Sequence, residues 1–236
     1  MKIELLYPEV CSLFGESGSI RYIEEVFCGA TIYKTELNEV PHFVNESIDF
    51  IYLGPMTENT QKKVITKLTP YVNKLKNAIN SGVHILFVGN AVDILGNSIE
   101  FSKENIVNGL GILDFTVKVN FLQRFNCMML TEYNNHKLMG FKTQFSEILG
   151  NNNNNHFAQV TKGMGLNKNS KFEGFKINNF IATQMIGPIL MINPYFTKEL
   201  FESIAKRSIE LPYFDLMINN YNAMLKDYNN VSDSGL

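Results

Sequence analysis

The chain has 236 residues, 45% of them hydrophobic and 19% charged, which is enough apolar material for one large α/β core or two small ones. A formal charge of -2, with no Lys/Arg stripe interleaved with aromatics, leaves no electrostatic footprint for nucleic acid. Three cysteines, Cys11, Cys28 and Cys127, lack zinc-ligand spacing and fit a reducing compartment; with no window near the length of a membrane span and no secretion signal, a cytoplasmic protein is expected.

Ile3 to Leu6 reads as a first strand stopped by Pro8, and the following loop to Gly18, with Cys11, Gly15 and Glu16, is expected at the carboxyl edge of a sheet. Ile20, Ile23, Val26 and Phe27 recur at helical spacing, and Ala30 to Tyr33 forms a second strand. Ile48 to Leu53 is apolar on both faces, as a buried parallel strand is, and Gly54-Pro55 turns it toward a helix entered through Thr57, Glu58 and Asn59. That helix is expected to run from about Thr60 to Ile79, with Val64, Leu68, Val72, Leu75 and Ile79 on one face and Ser81-Gly82 as its stop.

Val83 to Val88 is the central strand, followed by a tight turn at Gly89-Asn90-Ala91 and the start of a helix carrying Asp93. Strand–turn–helix alternation predicts a doubly wound, mostly parallel sheet, whose ligands sit in the crevice outside the carboxyl ends of the strands. Binding or chemistry is therefore sought at Gly89. A phosphate cradle there lacks both G-x-G-x-x-G and a P-loop Lys.

The second half reads differently: Leu110 to Val119, Arg124 to Glu132, His136 to Gly140, Phe157 to Thr161 and Phe180 to Ile192 are short apolar segments without helices between them, expected to extend the sheet with antiparallel strands. Asn151 to Asn155 reads as an exposed loop tip. Pro194 opens a helix through Leu200, Ile204 and Ile209; Pro212 separates it from another ending near Tyr228, and the tail after Asn229 is expected to fray. His84, His136 and His156 have no Cys or carboxylate at a telling spacing and read as structural or solvated.

Four stretches in register carry a family resemblance. They are Tyr7-Pro8-Glu9 with Leu13-Phe14-Gly15-Glu16-Ser17-Gly18-Ser19-Ile20; Asp49-Phe50-Ile51-Tyr52-Leu53-Gly54; Leu95-Gly96 with Gly109-Leu110-Gly111-Ile112-Leu113-Asp114; and Gly163-Met164-Gly165 through Glu173-Gly174 to Gly187-Pro188-Ile189-Leu190 and Asn193-Pro194. In these the chain resembles class I glutamine amidotransferases of the cobyric acid synthase (CobB/CobQ) type, and among them the GatD subunit of lipid II isoglutaminyl synthase. The resemblance implies a single flavodoxin-like three-layer α/β domain over residues 1–228, mostly parallel with an antiparallel extension, and a tail over 229–236. It also implies a partner, a MurT-like or other ATP-dependent ligase subunit that receives ammonia, with no metal and no cofactor.

The same resemblance places Gly89 where the family has its Cys nucleophile and Ile186 where it has the His base, so no catalytic residue is intact. The Gly-rich oxyanion turn has become Gly54-Pro55-Met56, and Pro55 has no N–H to offer. Arg124 stands where the family holds the glutamine carboxylate, and Asn90, Asp93 and Gly54 are the other candidate contacts for glutamine or another small amino acid. Two alternatives stay open for the charged pair: Asp93 complementing a helix dipole, and Arg124 pairing with a surface carboxylate. The expectation is a glutaminase-inactive binding or regulatory subunit of a ligase; the alternatives are a hydrolase or transferase using Cys11 or Cys127 as a recruited nucleophile, and a stand-alone amino-acid sensor.

Overall fold

Strands that are apolar on both faces need cover on both faces, and this sets the layers of the molecule. The computed structural model describes residues 1–230. Its first half runs β1 (Lys2–Leu6), α1 (Ser17–Val26), β2 (Thr31–Thr35), β3 (Phe50–Leu53), α2 (Glu58–Leu68), α3 (Val72–Asn80) and β4 (His84–Val88). There follow β5 (Ser98–Ser102), β6 (Asn105–Asn108), β7 (Phe115–Val119), β8 (Phe125–Tyr133), β9 (His136–Gln144), β10 (Ser146–Gly150), β11 (Ala158–Lys162) and β12 (Phe172–Glu173). The chain closes with β13 (Phe175–Ile177), β14 (Phe180–Thr183), α4 (Ile189–Ile192), α5 (Pro194–Ala205) and α6 (Phe214–Asn230).

The main sheet has the order β13-β14-β4-β3-β1-β2, parallel throughout except for the β13–β14 hairpin. Successive residues of a strand point to opposite faces. Ile85 and Phe87 of β4, with Ile51 and Leu53 of β3, therefore join a core with Val64, Leu68, Leu75 and Ile79 of the α2 and α3 layer. Leu86 and Val88, with Phe50 and Tyr52, join a second core with Ile20 and Ile23 of α1 and Phe196, Leu200 and Phe201 of α5. The mostly parallel α/β sandwich expected from the sequence is thus observed.

The single helix expected over residues 60–79 is two. α2 ends at Leu68, a 3-10 turn spans Thr69–Tyr71, and α3 starts at Val72. Pro70 lacks the N–H that would bond back to the fourth preceding carbonyl, so the ladder is interrupted although the apolar spacing continues across it. The N-terminal signal holds: Thr57 Oγ1 accepts a hydrogen bond from Thr60 N at 3.2 Å. No α-helix follows Gly89; two 3-10 turns, Gly89–Ala91 and Asp93–Leu95, take its place.

Of the antiparallel segments only the β13–β14 hairpin extends the main sheet. The others form two further four-stranded sheets, β10-β7-β5-β6 and β12-β11-β8-β9. The first is packed by one face, with Ile99, Phe115, Val117 and Ile148 joining the core beneath α2 and α3. The second is covered on both, by the core beneath α1 and α5 through Met129, Leu138 and Ala158, and by Tyr221 and Tyr228 of α6 against Leu130 and Met139. Alternating burial, as in Phe115–Val119, calls for a face to lie on rather than an edge to continue. Asn152, read as an exposed loop residue, is buried and donates from Nδ2 to the Gly174 carbonyl at 2.7 Å. Most of the tail lies outside the described residues.

The loop before α1 is fastened to the carboxyl end of the sheet by Glu16. Its buried carboxylate accepts from Gly187 N at 2.8 Å, Ile189 N at 2.9 Å and the Tyr52 hydroxyl at 2.9 Å. Glu16→Ala strands three buried donors, and each unsatisfied group costs about 1–3 kcal/mol; urea unfolding should show a loss of about 3 kcal/mol or more, and Glu16→Gln a smaller one.

Candidate functional site

Three chain segments leave the sheet side by side and converge on Gly89. β4 delivers Gly89 in the left-handed region, φ +65°, a conformation that costs a non-Gly residue on the order of 1–3 kcal/mol. Pro55 follows β3, and Ile186 follows β14. Ile186 is pinned by reciprocal backbone hydrogen bonds with Phe141, Phe141 N to Ile186 O at 3.1 Å and Ile186 N to Phe141 O at 3.0 Å. A Cβ on Gly89 would stand 2.7 Å from Pro55 Cβ and 2.9 Å from Ile186 Cγ2. The space for a side chain on this elbow is filled.

Beside the elbow lies a cavity of about 120 Å³. Leu13 and Phe14 form one rim, Arg124 and Phe145 another, and Asn90, Asp93, Ser146 and Gln184 line it with Gly89 and Ile186. Arg124 is exposed and lays its guanidinium over the Phe145 ring, 5.1 Å from the centroid. Asn90 braces the elbow: Met56 N donates to its Oδ1 at 2.9 Å and its Nδ2 donates to Met56 O at 2.7 Å. Gly54 is not among the lining residues; its Cα faces the Cys11 carbonyl so closely that a Cβ would collide with it.

Asp93 does not cap a helix. It is fully buried and accepts from Gln184 Nε2 at 3.2 Å and Gln61 Nε2 at 3.4 Å. Burial pushes its carboxyl from the ordinary 3.8 up to about 6, against the pull of Ser146, Gln61, Gln184 and Lys142. Behind it the polar chain continues: Lys142 Nζ donates to Gln184 Oε1 at 3.1 Å and pairs with Glu173 at 2.5 Å, and Glu173 Oε1 accepts from Gln184 N at 2.7 Å and the Thr183 hydroxyl at 3.0 Å. Lys142 and Glu173 are both fully buried, and the sequence reading missed their roles. The one available signal was Lys142 between Phe141 and Thr143 in an otherwise half-apolar strand.

The two cysteines considered as substitute nucleophiles do not line this cavity. Cys11 is buried against Met56 and burial pushes its thiol up; Cys127 is half-buried against Met129, its thiol also raised by burial. Hydroxyls of Thr57, Thr143 and Ser146 are present, but no histidine lines the cavity to take a proton from them. The arrangement sets an exposed cation, Arg124, and a buried carboxyl, Asp93, in the lining of one cavity.

Solved structures share this fold. The PurLQS structure from Thermotoga maritima superposes with a TM-score of 0.56 at 13% identity, over 87% of this chain and 97% of that one. A glutamine amidotransferase from Thermotoga maritima superposes at 0.53 and 9% identity, over 98% and 99%. The fold is that of glutamine amidotransferases. The CobB/CobQ-like glutamine amidotransferase domain matches residues 2–192, and the chain belongs to that family. It is 26% identical over 185 residues to lipid II isoglutaminyl synthase (glutamine-hydrolyzing) subunit GatD of Staphylococcus aureus, covering 78% of this chain and 75% of that one.

Two outcomes test the geometry. Gly89→Cys combines left-handed strain with overpacking against Pro55 and should lose about 2 kcal/mol or more in urea unfolding, part of it regained when Ile186→Ala is added. Asp93 holds its proton more tightly folded than unfolded, so its contribution falls as pH rises from about 4 to about 6 and is flat above, a change of about 3 kcal/mol. Across that range the stability of the native chain should fall relative to Asp93→Asn.

Proposed function

We propose that this chain is a glutaminase-inactive relative of the GatD subunit that serves an ATP-dependent, Mur-ligase-like amide synthetase as a binding or regulatory subunit. The observation that carries this reading is the filled elbow: Gly89 has no nucleophile, Ile186 has no proton to exchange, and Pro55 and Ile186 occupy the space a side chain would need. Pro55 also offers no N–H to a developing oxyanion. The GatD relative is named as one subunit of a synthase, which supports a ligase partner here, in cell-wall lipid II amidation or a related reaction.

In this reading the cavity survives as a binding pocket. Arg124 at the rim meets a carboxylate, Asp93 and Asn90 lie on the inner wall, and the ligand is glutamine or another small amino acid. Neither cysteine lines the cavity, Cys11 being buried behind Met56 and Cys127 half-buried against Met129, which weighs against a recruited cysteine. Among the described residues no helix is long and apolar enough to cross a membrane, which agrees with a cytoplasmic site of action.

Ammonia and glutamate release is the decisive assay. The purified chain should release neither from glutamine, alone or with a co-purifying partner. Gly89→Cys/Ile186→His alone should stay inactive because Pro55 still fills the elbow; adding Pro55→Gly is required for any rescue. Hydrolysis by the native chain that is lost on changing Cys11 or Cys127 would overturn the reading, as would the absence of any synthetase in a pull-down at native expression.

A further inference from the structure

At the opposite end of the main sheet a second cavity, of about 110 Å³, opens beside the start of β4. His84, the first residue of β4, and Ser203, on the last turn of α5, meet in its wall, with His84 Nε2 2.8 Å from Ser203 Oγ. Burial, with Lys206 and Lys176 nearby, holds the imidazole below its ordinary pKa, so the ring is neutral and one nitrogen is free to accept. A hydrogen bond with the Asp49 backbone acts on the ring in the opposite sense. In the tautomer that carries its proton on Nδ1, Nε2 is the acceptor and the Ser203 hydroxyl the donor. This is the geometry of a nucleophile with its base.

The rest of the cavity suits a small acyl group. Ile181, Phe196 and Leu200 give an apolar wall. Lys176 and Asn179 also line it; each spends one donor on a neighbouring carbonyl, Lys176 Nζ on Asn178 O at 3.2 Å and Asn179 Nδ2 on Gly82 O at 2.7 Å, and each has further N–H groups. Glu199 balances Lys176, so the lining carries one charge of each sign and favours a neutral ester over a free acid.

We propose that Ser203 and His84 form a nucleophile–base pair for acyl transfer from short-chain esters, with Lys176 and Asn179 as donors to the developing oxyanion. Ser203 Oγ bonds the acyl carbon as the bond to the alkoxide breaks; the proton passes from Oγ to Nε2 and on to the alkoxide. Water, giving a proton to the same nitrogen, then attacks the acyl-serine, releasing the acid and restoring the hydroxyl. Neither residue lines the Gly89 cavity, so this site stands or falls independently of the reading given there.

A fluorophosphonate is the probe. Ser203 Oγ bonds phosphorus, fluoride leaves, and His84 takes the proton. Peptide mass mapping of the full chain should find the adduct on Ser203, abolished in Ser203→Ala, a change at an exposed position that should leave the fold intact, and slowed on the order of 100-fold in His84→Gln. Should His84→Gln fail to fold, the thiol introduced by Ser203→Cys serves instead. At a pH of about 6.5 it should react with iodoacetamide at least about 10-fold faster than the exposed Cys28. An unlabelled Ser203, equal labelling with and without His84, or a thiol no faster than Cys28 would reduce the contact to a structural hydrogen bond and overturn the proposal.

Discussion

Everything in this molecule hangs on β4 being buried on both faces. All five of its residues are covered, with Ile85 and Phe87 in one core and Leu86 and Val88 in the other, so the strand has no freedom to slip in register. That fixes where it ends. With β3 and β14 hydrogen-bonded on either side, the segments after Leu53, Val88 and Thr183 must emerge together, and Pro55, Gly89 and Ile186 meet as a result. The site is a consequence of strand register before it is a matter of side chains.

The buried polar chain behind the elbow runs against the usual economy of a core. An unpaired buried charge is costly, and an ion pair removed from water rarely gains more than it loses. Here Lys142 and Glu173 are fully buried, yet each makes further bonds, to Gly165 O and Gln184 for the lysine and to Thr183 and Gln184 N for the carboxylate. Gln184 bridges this pair to Asp93, and Asp93 opens onto the cavity. A network of this kind specifies one arrangement of β9, β14 and the turn after β4 more than it adds stability.

Much of this was legible from the sequence because periodicity reports burial. Val83 to Val88 and Ile48 to Leu53 announced buried parallel strands, Gly89 announced a turn with a special backbone, and the Gly187-Pro188 segment announced its neighbour. Where the reading failed, a local pattern was silent about a distant surface. The apolar face of residues 60–79 does not register that Pro70 breaks the backbone ladder. Alternation in Phe115–Val119 shows that one face is covered, not which core covers it. Asp93 reads as a first-turn carboxylate until Gln61 and Gln184, 32 and 91 residues away, enclose it. His84 and Ser203 are 119 residues apart, and nothing short of the fold brings them together.

The residues around the elbow also depend on one another physically. With a side chain at position 89, Pro55 and Ile186 could not stand where they do; with Pro55 and Ile186 in place, glycine is the residue that fits both the φ of +65° and the space. Once the elbow carries no side chain, an apolar residue at 186 can seal it, and the backbone bond to Phe141 keeps it there. Each of the three therefore fixes the space left to the other two. The neighbouring cavity is not filled in the same way. Arg124, Asn90 and Asp93 border it, an exposed cation, a neutral amide and a buried carboxyl, so the packing that seals position 89 stops short of the polar wall beside it.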